Sequence, residues 1–71
     1  MIRTKASPLI KALGKRLEGE IAVAEANVNV YIESSVGIGE HPDVVEAIET
    51  QIEKIASADE KLQILKNYFG V

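Results

Sequence analysis

The stretch Val36-Gly37-Ile38-Gly39-Glu40-His41-Pro42-Asp43 divides the chain into two halves. It holds two of the five glycines, the only histidine and one of the two prolines. A long apolar, helix-compatible segment lies on each side of it. Gly37 and Gly39 supply the backbone freedom that a chain reversal needs. Pro42 suits the first position of a helix, where its missing N–H is no loss. Asp43 then brings a negative charge into the first turn, where the helix dipole favours it. The stretch reads as the loop of a helical hairpin.

On its C-terminal side, Val45, Ile48, Ile52, Ile55, Ala58, Leu62, Leu65 and Phe69 step by 3, 4, 3, 3, 4, 3 and 4. These steps predict one apolar stripe along a helix, with an irregular step around residues 55–58. Val44, Ala56 and Ile64 widen the stripe. Ser57-Ala58-Asp59-Glu60 matches a capping box at the irregular step, so the helix either restarts there or runs through; continuity is the reading preferred. Gly70-Val71 suits a C-terminal stop.

On its N-terminal side, Ser7-Pro8 is a helix start, with Ser7 able to accept a bond from an unpaired backbone N–H. Leu9, Leu13, Leu17, Ile21, Ala24 and Val28 follow at helical spacing, with Tyr31 and Ile32 beyond. Gly14 and Gly19 each cost about 1 kcal/mol against Ala inside a helix. They mark a kink, a close helix contact or a late start of the ordered helix. Residues 22–33 also alternate as a strand would, since Ala26, Val28, Val30 and Ile32 interleave with Asn27, Asn29 and Tyr31. The alanines and the unbroken 3–4 spacing favour helix. As a helix this segment is apolar on more than one face, which calls for more than one packing neighbour.

The fold expected is therefore all-α: an antiparallel hairpin with helices about 8–33 and 43–69, both roughly 40 Å long at 1.5 Å per residue. Residues 1–71 form a single domain, with 1–6 a flexible basic arm. A chain of 71 residues buries little surface by itself. It has no cysteine and one histidine, so disulfides, thiolate metal sites and multi-histidine sites within one chain are excluded. Oligomerisation is the remaining common source of stability, and a four-helix bundle or larger helical oligomer is expected. Asn27 or Asn29, but not both, can face such a seam and fix its register.

Hydrophobic residues make up 46% of the chain and aromatics 4%. That composition suits helix-on-helix packing and leaves little room for an aromatic-lined concave pocket. No apolar run approaches the ~20 residues of a membrane span. The N-terminus lacks the apolar core of a secretory signal, so a cytoplasmic setting is expected.

Charge is uneven. Residues 1–17 carry Arg3, Lys5, Lys11, Lys15 and Arg16 and no acid, whereas residues 18–71 carry three lysines against eleven acids. The basic head admits two readings. Arg3, Lys5, Lys11, Lys15 and Arg16 contact nucleic acid, or Lys11, Lys15 and Arg16 pair with the acidic surface Asp43, Glu46, Glu49 and Glu53 of another copy in an antiparallel dimer. The second is preferred. Gly37-x-Gly39 is neither a dinucleotide fingerprint nor a P-loop, and Glu40 and Asp43 would repel phosphate. Glu40, His41 and Asp43 lie close enough for a metal or acid–base site, but capping and turn formation account for them better. Glu40 and His41 are the loop residues with least structural justification, and hence candidates for a partner contact. No catalytic residue, cofactor or metal is expected.

Val30-Tyr31-Ile32-Glu33, the Val36–Asp43 loop, Ile55-Ala56-Ser57-Ala58-Asp59-Glu60-Lys61-Leu62 and Tyr68-Phe69 resemble small uncharacterised proteins of tailed phages of marine bacteria, over roughly residues 25–69. The resemblance implies a viral gene product with a helical fold, and it carries over no catalytic residue. The expected function is a non-enzymatic structural or protein–protein interaction protein accessory to phage assembly. Its partners would be a second copy or another viral or host protein, in the cytoplasm of the host cell. The alternative is a nucleic-acid-binding accessory protein using the basic segment.

Overall fold

The computed structural model describes residues 7–34 and 41–70, with the side chains of His41 and Pro42 excepted. The flexible arm expected at 1–6, the turn glycines Gly37 and Gly39, and Glu40 lie outside the described residues. Two helices account for almost all of the rest: α1, Pro8–Ser34, and α2, His41–Phe69. They pack against each other as an antiparallel hairpin. Each is within two residues of the bounds read from the sequence.

The start of α1 is fixed as its sequence implies. Ser7 Oγ accepts the Ile10 N–H at 3.1 Å, and the Ser7 carbonyl accepts the Lys11 N–H at 2.9 Å. The first α-helical turn is therefore capped by the residue before Pro8. The strand reading of 22–33 loses, because the alanines and the unbroken helical spacing carry α1 through to Ser34. The second helix holds Asp43 in its first turn and Lys66 in its last, so both ends suit its dipole. It runs through Ser57 without a break. It ends at Phe69, followed by Gly70 at φ 73°, the left-handed conformation of a glycine helix stop.

The seam differs from the stripes drawn by hydrophobicity. On α1 the less exposed residues are Ile10, Gly14, Leu17, Ile21, Ala24, Val28 and Tyr31, at steps of 4, 3, 4, 3, 4 and 3. Leu9, 82% exposed, and Leu13 fall outside this row. On α2 the row is Val44, Ile48, Gln51, Ile55, Ala58, Leu62 and Leu65, with the same alternation. Val45 and Ile52 are turned out, at 63% and 49% exposure. The irregular step expected at 55–58 thus belonged to a stripe with three exposed members, Val45, Ile52 and, at its far end, Phe69 at 45%. Once Val44 and Gln51 replace Val45 and Ile52, the repeat is regular, and the helix has no reason to break. Two further described residues, Asn27 and Ala47, are partly buried beside these rows.

The core is small. Leu17, Ala58, Leu62 and Leu65 form the buried cluster, with Ile10 and Ile21 packed against it. It lies in the half of the hairpin away from the loop. Toward the loop the seam residues Val28, Tyr31, Val44 and Ile48 are only partly buried, and the buried ones nearest to them, Ala24 and Gln51, are small or polar.

A candidate interaction surface

Gln51 occupies a seam position and is only 7% exposed. A buried amide needs a partner, and Asn27 supplies one: its Nδ2 donates to Gln51 Oε1 at 3.1 Å. Asn29 is exposed, so of the two asparagines only Asn27 turns toward the seam within the hairpin. This bond links the two helices near mid-hairpin and fixes their relative height there.

The same two amides stand at the edge of an open groove of about 850 Å³ running between the helices. Its α1 wall includes Arg16, Gly19, Glu20, Val23 and Asn27, and its α2 wall Thr50, Gln51, Glu53, Lys54 and Ser57. The groove is larger than expected from so short a chain with few aromatics. Small residues on its walls, Gly19, Ala24 and Ser57, leave the space open. A Cβ built on Gly19 would meet nothing within 4 Å.

Charged side chains on this flank come in both signs. Arg16 Nε donates to Glu20 Oε2 at 3.3 Å, one turn along α1. Both side chains are well exposed, so the pair contributes at most a few tenths of a kcal/mol to the helix. Glu53 and Lys54 face them from α2. Thr50 Oγ1 is engaged by its own helix, donating to the Glu46 carbonyl at 3.1 Å.

Seven-residue spacing extends the flank beyond the groove. Leu9 precedes Arg16 by one heptad and Leu13 precedes Glu20. Val30 follows Val23, Ile64 follows Ser57, and Tyr68 lies two heptads beyond Lys54. All of these apolar side chains are exposed, among them Val23 at 62% and Tyr68 at 74%. A smaller hollow, about 450 Å³, lies on the opposite flank between Glu25, Val28 and Asn29 of α1 and Ile52 and Ile55 of α2.

The residues singled out from sequence do not gather. Lys11 and Lys15 are exposed one turn apart, and neither lines the groove. Arg16 does, held by Glu20. Asp43, Glu46, Glu49 and Glu53 are exposed on α2, as expected of a charged outer face. Glu40 and the side chain of His41 lie outside the described residues. Gln51 was missed because it is polar. Its signal was the repeat itself: stepping back from Leu65, Leu62, Ala58 and Ile55 by the same alternation lands on Gln51, Ile48 and Val44.

Comparison with family models, with curated proteins and with solved structures finds no match to this chain. No described helix is long and apolar enough to cross a membrane.

Proposed function

We propose that this chain is a non-enzymatic structural or protein–protein interaction protein that works as a helical oligomer. The observation that carries the reading is that its apolar surface exceeds what one seam can cover. The described residues leave ten large hydrophobic side chains exposed, six of them along the groove flank and others, Ile32, Val45 and Ile52, on the opposite one. An isolated surface Leu or Val is ordinary, but a row of them beside an open groove marks a place where another surface docks. The resemblance of residues 25–69 to small proteins of tailed phages suggests the setting: an accessory of particle assembly in the host cytoplasm.

Sedimentation equilibrium tests the self-association. The expected result is a dimer or larger species at micromolar concentration, with helical circular dichroism. A stably folded monomer under those conditions overturns the reading. For the setting, a gene lying away from any head, neck or tail genes would argue against assembly.

A further inference from the structure

The charges of the hairpin are sorted along its length. At the end away from the loop, residues 7–17 carry Lys11, Lys15 and Arg16 and no acid, and residues 58–70 carry Asp59 and Glu60 against Lys61 and Lys66. That end is net +3. In the remainder, residues 18–34 carry Glu18, Glu20, Glu25 and Glu33 and no base, while residues 41–57 carry Asp43, Glu46, Glu49 and Glu53 against Lys54, for a net −7. The groove itself is locally balanced, with Arg16 and Lys54 against Glu20 and Glu53. A second copy can approach this flank without meeting a single-signed wall.

We propose that the groove flank is the contact face of a two-fold homodimer in which two hairpins lie side by side with their loop ends pointing in opposite directions. This rests on the self-association argued above and adds the face, the partner and the orientation. The face follows from apolar area. Leu9, Leu13, Val23, Val30, Ile64 and Tyr68 together expose on the order of 600 Å² on one flank, at the top of what a monomer leaves in water. A standard interface buries ~800 Å² per partner, so this row and the groove walls beside it suffice for a stable dimer. The opposite flank offers Ile32, Val45 and Ile52 and a smaller hollow.

The orientation follows from charge. With loops at the same end, the basic ends would meet each other and the acidic remainders would meet each other. Turned end for end, the Lys11–Lys15–Arg16 segment of each copy lies against the acidic loop half of its partner. Like-charge juxtaposition excludes the first arrangement and complementarity selects the second. A two-fold axis makes the contact self-complementary, so Val23, near the middle of α1, sits in the centre of the interface.

Three measurements on the full chain separate the outcomes. Val23→Lys, at a position exposed in the single hairpin, should halve the mass seen by sedimentation, while Val45→Lys on the other flank leaves it unchanged. A spin label on Ser7→Cys, the only cysteine the chain would contain, should report an inter-copy distance near the helix length, roughly 40 Å. Raising salt should weaken association. A dimer that survives Val23→Lys but is dissociated by Val45→Lys overturns the face and leaves self-association standing. Labels close together overturn the orientation alone. A wild-type monomer overturns both this proposal and the function above. Circular dichroism of each variant shows whether a loss of mass reflects unfolding; if Val23→Lys unfolds the hairpin, Val30→Lys, one heptad on and also exposed, takes its place with the same expected outcome.

Discussion

Gln51 shows how far one residue can depart from its element's pattern and still belong to it. It stands where a hydrophobic residue would be expected, and it is tolerated because Asn27 reaches it across the seam. The two sides of this bond should not be equivalent. Asn27→Ala leaves a buried carbonyl oxygen without its donor, at a cost of about 1–3 kcal/mol. Gln51→Leu frees only a partly buried asparagine at the edge of the open groove, where water can satisfy it, and it adds apolar contact at the seam. The first variant should lower the melting temperature by roughly 4–8 °C or more, and the second should hold or raise it. The double change to leucine should also raise it, with some loss of a unique oligomer state. Thermal melts followed by circular dichroism distinguish these signs. No ranking by hydrophobicity could have placed Gln51 in the seam. Its position was legible only in the beat of its neighbours, and its partner only in the fold.

At the scale of the helix, the two elements were legible to different degrees. Their existence, their ends and the Ser7 cap followed from spacing and capping chemistry. Their rotation about their own axes did not. The first helix carries Leu, Val or Ile on several sides, so the spacing placed Leu9 and Leu13 on the stripe, whereas Ile10 and Gly14 take the seam. The choice is made by the partner helix, which is absent from any local window. The same ambiguity hides the difference between two glycines. Gly14 is buried on the seam, while Gly19 borders open space. Gly19→Ala should therefore stabilise the helix by about 0.5–1 kcal/mol, because nothing opposes the gain in helix propensity. Gly14→Leu should destabilise by about 1–3 kcal/mol, since the added side chain must push the helices apart. Denaturant titration of the two variants gives the comparison. Ser7→Ala should cost about 1 kcal/mol through loss of the cap. The groove was not legible at all, because it arises from small residues on two helices that meet only in the hairpin.

For the whole molecule, the absence of disulfides and the small leucine cluster near one end leave stability dependent on what covers the remaining apolar surface. A self-associating hairpin ties folding to mass action, so its melting temperature should rise with protein concentration and fall on dilution. A concentration-independent melt would contradict that. The loop half should open first, because its seam residues Val28, Tyr31, Val44 and Ile48 are only partly buried and the leucine cluster lies in the other half. Hydrogen exchange should show amides near Asn27 and Gln51 less protected than those near Leu17 and Leu62.

The alternation of fours and threes on both helices has a geometric consequence of its own. An α-helix turns every 3.6 residues, while the seam repeats every 3.5, so a straight helix would drift off its partner by about 20° per heptad. The buried rows from Ile10 to Tyr31 and from Val44 to Leu65 each span three heptads and stay in contact. The two rods must therefore coil left-handedly around each other by roughly 60° from end to end. The groove and its apolar rim wind with them. A flat or straight surface could follow that path for only part of its length, whereas a second copy, wound with the same hand and pitch, can follow it throughout.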